Sequence, residues 1–106
     1  MYRQGDVLVQ PMAREALPVG LVDAPRDRGN RMVLAYGEAT GHAHVLTGDR
    51  VSLLCPPDDP GTLYVIVEGY GRLGHEEHGA IGLPVGSYKV IRQREYLPGA
   101  IRPVAD

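Results

Sequence analysis

The chain has 106 residues, 13 of them acidic and 11 basic, with four histidines, one cysteine and neither Phe nor Trp. That length allows one domain with one aliphatic core, and a formal charge of −2 excludes a protein whose main work is wrapping duplex nucleic acid, which needs a dense basic face. The lone Cys55 excludes an internal disulfide and a thiolate metal cluster, so a reducing cytoplasm is the expected compartment.

Fourteen glycines and nine prolines punctuate short runs of Val, Leu, Ile and Tyr. No segment keeps a helical period over three turns. The pattern predicts an all-β fold across residues 1–106, a small single-domain barrel or two-sheet sandwich. The opening MYRQGDVLVQ has no basic region followed by an apolar run, so neither an export signal nor a membrane anchor is expected. A first strand is expected at 6–12. Residues 13–30 then form the least ordinary connection, mixing Pro18, Gly20, Pro25 and Gly29 with alternating charges. Connections this long are functional flaps or disordered segments, and Leu21-Val22 can add a short strand.

Strands at 31–36 and 42–46 read as a hairpin around Gly37-Glu38-Ala39-Thr40-Gly41. In that register Tyr36 faces His42, Leu34 faces His44 and Met32 faces Leu46, while Ala35 faces Ala43 and Val33 faces Val45 on the other side. Side chains alternate along a strand, so His42 and His44 share a face, roughly 7 Å apart. Two imidazoles on an apolar face each need a hydrogen-bond partner or a metal. Tyr36 lies beside them as a candidate substrate contact, and Glu38 and Thr40 read as polar rim residues. Both hairpin faces are apolar, which points to a homo-oligomer in which a second copy helps to cover them.

Further strands are expected at 51–54, 62–68, 71–75 and 80–83, with Asp49 as a turn residue. In LGHEEHGAIGLP, His75 and His78 bracket Glu76 and Glu77. An extended segment pairs His75 with Glu77 on one face; a turn, permitted by Gly74 and Gly79, lets His75 and His78 converge. Every histidine therefore falls in one of two short-spaced pairs, which predicts a shared pocket. His42, His44, His75 and His78 are candidate ligands for a divalent transition metal, Zn, Fe, Mn or Ni, with Glu76 or Glu77 as ligand or catalytic base and no sulfur to favour softer metals. Without metal, the same imidazoles suit acid and base catalysis near neutral pH, as in a nucleotide or RNA phosphodiesterase that holds phosphate with Arg92 and Arg94. A third possibility is structural, with the histidines closing an interface.

The last strand is expected at 87–94. In SYKVIRQREY the apolar start gives way to Arg92, Arg94 and Tyr96, which with Tyr2 and Arg3 can hold a phosphate or stack a base. The plain alternative is an exposed strand end paired with neighbouring acids. Nucleotide, small-molecule or RNA partners follow from the first reading. The tail LPGAIRPVAD has no alternation and is expected on the surface or on a neighbouring subunit.

A strand-borne H-x-H behind a glycine, followed later by a P-x-G turn (Pro84-Val85-Gly86), resembles the cupin pattern of a small metal-holding β-barrel or jelly roll. Asp49 stands nearest to where cupins carry a Glu, and Ser87, Tyr88 and Lys89 stand where they carry a last histidine. The resemblance thus implies imidazoles inside a barrel, as in a metal-dependent hydrolase or other cupin-like enzyme, and not the cupin ligand set. The strings YRQGDVL, LAYGEATGHAH, HEEHGAIGLPVGSYKVIRQREY and IRPVAD also resemble a family of short, uncharacterised bacterial and phage-associated proteins across nearly the whole chain. That second resemblance implies no particular activity.

Overall fold

The computed structural model describes residues 1–37 and 42–93. Eight strands follow in chain order: β1 (Tyr2–Gln4), β2 (Val7–Met12), β3 (Val22–Asp23), β4 (Met32–Tyr36), β5 (Ala43–Cys55), β6 (Tyr64–Gly74), β7 (Ile81–Leu83) and β8 (Gly86–Arg92). All pairings are antiparallel and form one sheet in the order β1-β2-β8-β6-β5-β3, with β4 also on β5 and β7 also on β6. A 3-10 turn at Arg14–Ala16 follows β2. No helix among them is long and apolar enough to cross a membrane.

The architecture rests on the long β5–β6 ribbon. Segments read from sequence as separate strands, 42–46 with 51–54 and 62–68 with 71–75, are each one continuous strand, because the glycines and charges between them sit at a bend and not at a chain reversal. One half of the ribbon carries β8 and β3, and the other half carries β7 and β4. Between the halves the register shifts by a bulge from Asp49 to Val51, with Arg50 at φ 51°. Bulges sharpen the local twist and bend a strand. At the same bend Gly48 has φ 141°, and a Cβ there would strike the Tyr70 carbonyl oxygen, so only glycine fits.

The two halves share one core. Val7 and Val9 of β2, Leu34 of β4, Leu46 and Leu53 of β5, Val65, Val67 and Leu73 of β6, Leu83 of β7 and Tyr88 of β8 are buried in a single cluster. The expected barrel does not form: β1 and β3 end the sheet without pairing to each other. Alternation of apolar residues specifies which face is buried, and it is silent on whether the last strand meets the first.

The connection over residues 13–30 lies against the sheet. Val22 pairs with Cys55 and Asp23 with Leu54, and Ala24 N–H donates to the Leu53 carbonyl. Asp27 then accepts both the backbone N–H and the Nε of Arg31, at 2.7 Å each, fixing the entry to β4. These bonds hold the Asp27 carboxyl below its usual pKa, the Arg31 backbone bond being the largest cause.

The β4–β5 hairpin departs from the expected register. Met32 faces Leu46 and Val33 faces Val45 as read, but a bulge between Val33 and Ala35 then places Ala35 opposite His44 and Tyr36 opposite Ala43. One extra residue on β4 breaks the two-residue period that sequence reading relies on. Ala35 and Ala43 are buried within the single chain, at 5% and 1% exposure. Val33 and Val45, the other two residues expected on that face, are half-buried. Residues Glu38 and Thr40 lie outside the described residues.

Candidate functional site

The open side of the bent sheet is tied by Gln4. Its amide nitrogen donates to the carbonyls of Leu73 on β6 and Gly79 in the β6–β7 connection, at 2.9 Å each. Carbonyls only accept, so the amide orientation follows, and Gln4 Oε1 is left to accept from His44 Nδ1 at 2.9 Å. Gln4 is 3% exposed and His44 0%. A side chain on β1 thus joins both strands of the opposite half-sheet, and it sets the protonation of the histidine at the bottom of the cluster.

All four histidines meet there. The ring of His75 lies 4.4 Å from His44, 4.6 Å from His78 and 5.7 Å from His42, centroid to centroid, and His44 and His78 are near-parallel at 6.0 Å. The sequence expectation that the pairs converge through a turn describes this arrangement. The turn is held by His75 itself: its Nδ1 accepts the backbone N–H groups of Glu77 at 3.0 Å and His78 at 3.3 Å. His44 is buried, while His42, His75 and His78 are half-buried above it.

The nitrogens are not interchangeable. With Gln4 Oε1 as its acceptor, His44 donates from Nδ1. His75 accepts at Nδ1, so its neutral form carries the proton on Nε2, an atom that is buried with no hydrogen bond among the described residues. Asp6, whose side chain is 1% exposed, holds Oδ1 3.8 Å from His44 Nε2. Gly5 between Gln4 and Asp6 has φ 59°, and a Cβ there would come 2.7 Å from His78 Nε2 and 3.4 Å from His44 Cε1. The tight β1–β2 turn, Gln4 to Asp6, is therefore one wall of the cluster.

The two glutamates have separate tasks. Glu76 accepts the Ala43 N–H at 2.9 Å, and this bond, with help from His42 and His75, lowers its pKa from the ordinary carboxylate value. Glu77 Oε2 lies 3.3 Å from His42 Nδ1. Both are exposed, and both fasten the β6–β7 connection to the β4–β5 hairpin. Tyr36 is 56% exposed on the same hairpin.

The basic strand end is only partly described. Arg92 ends β8 opposite Val7, and Arg94 and Tyr96 lie outside the described residues. Of their expected companions, Arg3 donates to Gln93 Oε1 at 2.7 Å and Tyr2 packs edge-on against Tyr88. A groove of about 460 Å³ lined by Met12, Arg14, Arg50, Val67, Glu68, Val85, Gly86 and Ser87 shares no residue with the histidine cluster. Its arginines are each beside an acid, Arg14 at 3.9 Å from Glu68 and Arg50 at 3.2 Å from Asp49, so it offers no net basic surface.

Sequence reading missed Gln4, Gly5 and Asp6 as parts of the site. The string QGD signals a tight turn, but nothing local says that the turn packs on histidines forty and seventy positions away. Among the described residues no group of three or more His, Cys, Asp or Glu side chains is placed to hold a metal ion. Among curated proteins and among solved structures no match is found. A family match covers residues 3–93, and on it the chain belongs to the family described as a domain of unknown function, DUF8820.

Proposed function

We propose that the histidine cluster is the working site and that it binds one divalent transition-metal ion of the Zn, Fe, Mn or Ni class. The observation that carries the reading is the meeting of all four histidines, from two separate connections, above a buried imidazole whose Nδ1–H is held by Gln4. An oriented second nitrogen is the usual support of a metal-ligating histidine, and nitrogen with carboxylate oxygen suits these metals. His75 does not fit as a ligand through Nδ1, and the site closes on an ion by side-chain rotation of the half-buried His42 or His78. The buried free thiol of Cys55 accords with a reducing compartment.

Thermal melts of tag-free protein test the reading. An ion that binds only the folded state at a hundred times its Kd adds about 2.7 kcal/mol, which raises the melting temperature of a domain this size by roughly 10 °C. Melts that ignore Zn, Mn, Fe and Ni, with and without chelator, sink it. The metal-free acid and base reading then moves ahead. One observation favours it: the Glu77 carboxylate 3.3 Å from His42 Nδ1 orients an imidazole at the rim.

A further inference from the structure

His44 is 0% exposed, so nothing from outside the chain reaches its ring unless a part of the fold moves. Two of the rings against it belong to the β6–β7 connection, His75 at 4.4 Å and His78 at 6.0 Å, centroid to centroid. Residues 75–80 of that connection bury no side chain, and the core is supplied by Leu73 before them and Leu83 after them. Their ties to the rest of the molecule are polar. Glu76 Oε1 accepts from the Ala43 N–H at 2.9 Å, Glu77 Oε2 lies 3.3 Å from His42 Nδ1, and the Gly79 carbonyl accepts from Gln4 at 2.9 Å. Within the segment, His75 Nδ1 accepts the N–H groups of Glu77 and His78, so the turn holds its own shape. A segment with few buried apolar contacts and exposed hydrogen bonds opens far more readily than the whole domain unfolds, because water replaces most of what an exposed bond loses.

We infer that residues 75–80 form a lid on the histidine cluster, which swings as a preformed turn about Gly74 and Gly79 while the sheet stays folded, and that this opening admits small molecules to His44. Opening lifts His75 and His78 off the His44 ring and releases Glu76 and Glu77 from the β4–β5 hairpin. Gln4 loses its bond to Gly79 and keeps those to Leu73 and His44, so the base of the cluster stays formed. Glu76 and Glu77 are thus the latches of the lid. Neither a metal ion nor a proton transfer enters this inference, so it stands or falls apart from the reading of what the cluster binds.

Diethyl pyrocarbonate labelling of the whole chain at pH 7.5 with chelator present, read residue by residue by tandem mass spectrometry, tests the lid. His42, whose side chain is 23% exposed, is expected to react first and His44 more slowly, at the rate the lid permits. Lid opening exposes little surface, so the His44 rate is expected to change by less than about twofold between 0 and 1 M urea, whereas a route through global unfolding accelerates roughly fivefold or more per molar. Glu76→Ala and Glu77→Ala each remove one latch and are expected to speed His44 labelling by about three- to tenfold. Leu53→Ala, which weakens the core away from the lid, is expected to leave the His44 rate within about twofold of the parent. A His44 rate that climbs with urea as unfolding does, a His44 never labelled in the folded chain, latch variants that label like the parent, or an equal acceleration in Leu53→Ala overturns the lid. Should a variant not fold, the urea dependence of the unaltered protein decides.

Discussion

Gln4 and His44, forty residues apart, share a buried 2.9 Å hydrogen bond that crosses the open side of the sheet. The bond belongs to both fold and site. It ties β1 to the far end of the β5–β6 ribbon, and it fixes which nitrogen of His44 donates.

Replacing Gln4 with Leu removes three hydrogen bonds, two of them buried, and leaves the Leu73 carbonyl, the Gly79 carbonyl and the His44 Nδ1–H without that partner. A buried polar group deprived of its partner costs about 1–3 kcal/mol. Gln4→Leu is expected to lose about 3 kcal/mol in urea unfolding, where the apolar gain of Leu offsets part of the penalty. A variant as stable as the parent contradicts the clasp.

The core makes a sharper demand. Leu46 and Leu73 are cross-strand partners on the ribbon, 1% and 0% exposed. Leu46→Ala is expected to cost about 3 kcal/mol through lost burial and the cavity left behind. Tyr70→Ser, at a position 65% exposed, is expected to stay within about 0.5 kcal/mol of the parent. Both are read from denaturant midpoints, and similar values for the two contradict the placement of the core.

What could be read from the chain followed from periodicity and from spacing. His42 and His44 on one face, His75 and His78 brought together by a turn, and an all-β fold are each consequences of side-chain alternation or of glycine placement. The bulge between Val33 and Ala35 was not legible, since one extra residue leaves no local trace in composition. Nor was the role of Gln4 and Asp6, because a buried polar residue is recognised by partners distant in sequence. The open sheet was missed for a related reason: the bend at Gly48 and Arg50 looked like a turn between two strands.

Glu76 gives a pH dependence with a definite sign. Its pKa is lowered in the fold, chiefly by the Ala43 N–H, from the ordinary value of 4.5. A carboxyl with a depressed folded pKa adds stability that is present above its unfolded pKa and is lost as pH falls through the folded one. Stability is therefore expected to decline below about pH 4.5, and Glu76→Gln, which keeps an acceptor but does not titrate, is expected to show a shallower decline. Parallel acid profiles for the two proteins count against the bond.

Tyr88 acts at the other end of the scale. Burial, and then the neighbouring Tyr2, raise its pKa above the ordinary 10.0. Its contribution is complete below the unfolded pKa and is lost as pH rises through the folded value, so the fold is expected to weaken above about pH 10. Tyr88→Phe loses the bond to the Pro84 carbonyl and is expected to be less stable at neutral pH, with a flatter alkaline limb. Absorbance titration of the tyrosinates checks it; a Tyr88 that ionises with the exposed tyrosines contradicts its burial.

The central claim is that the histidine cluster holds one divalent transition-metal ion, and equilibrium dialysis of tag-free protein against Zn at pH 7.5, followed by elemental analysis, tests it most directly. One ion retained per chain in the parent, and none in His44→Gln, is the expected result. Retention falls on dialysis below pH 6, because neutral imidazole is the ligand form and protons compete for it. No ion retained by the parent, or equal retention by His44→Gln, contradicts the claim.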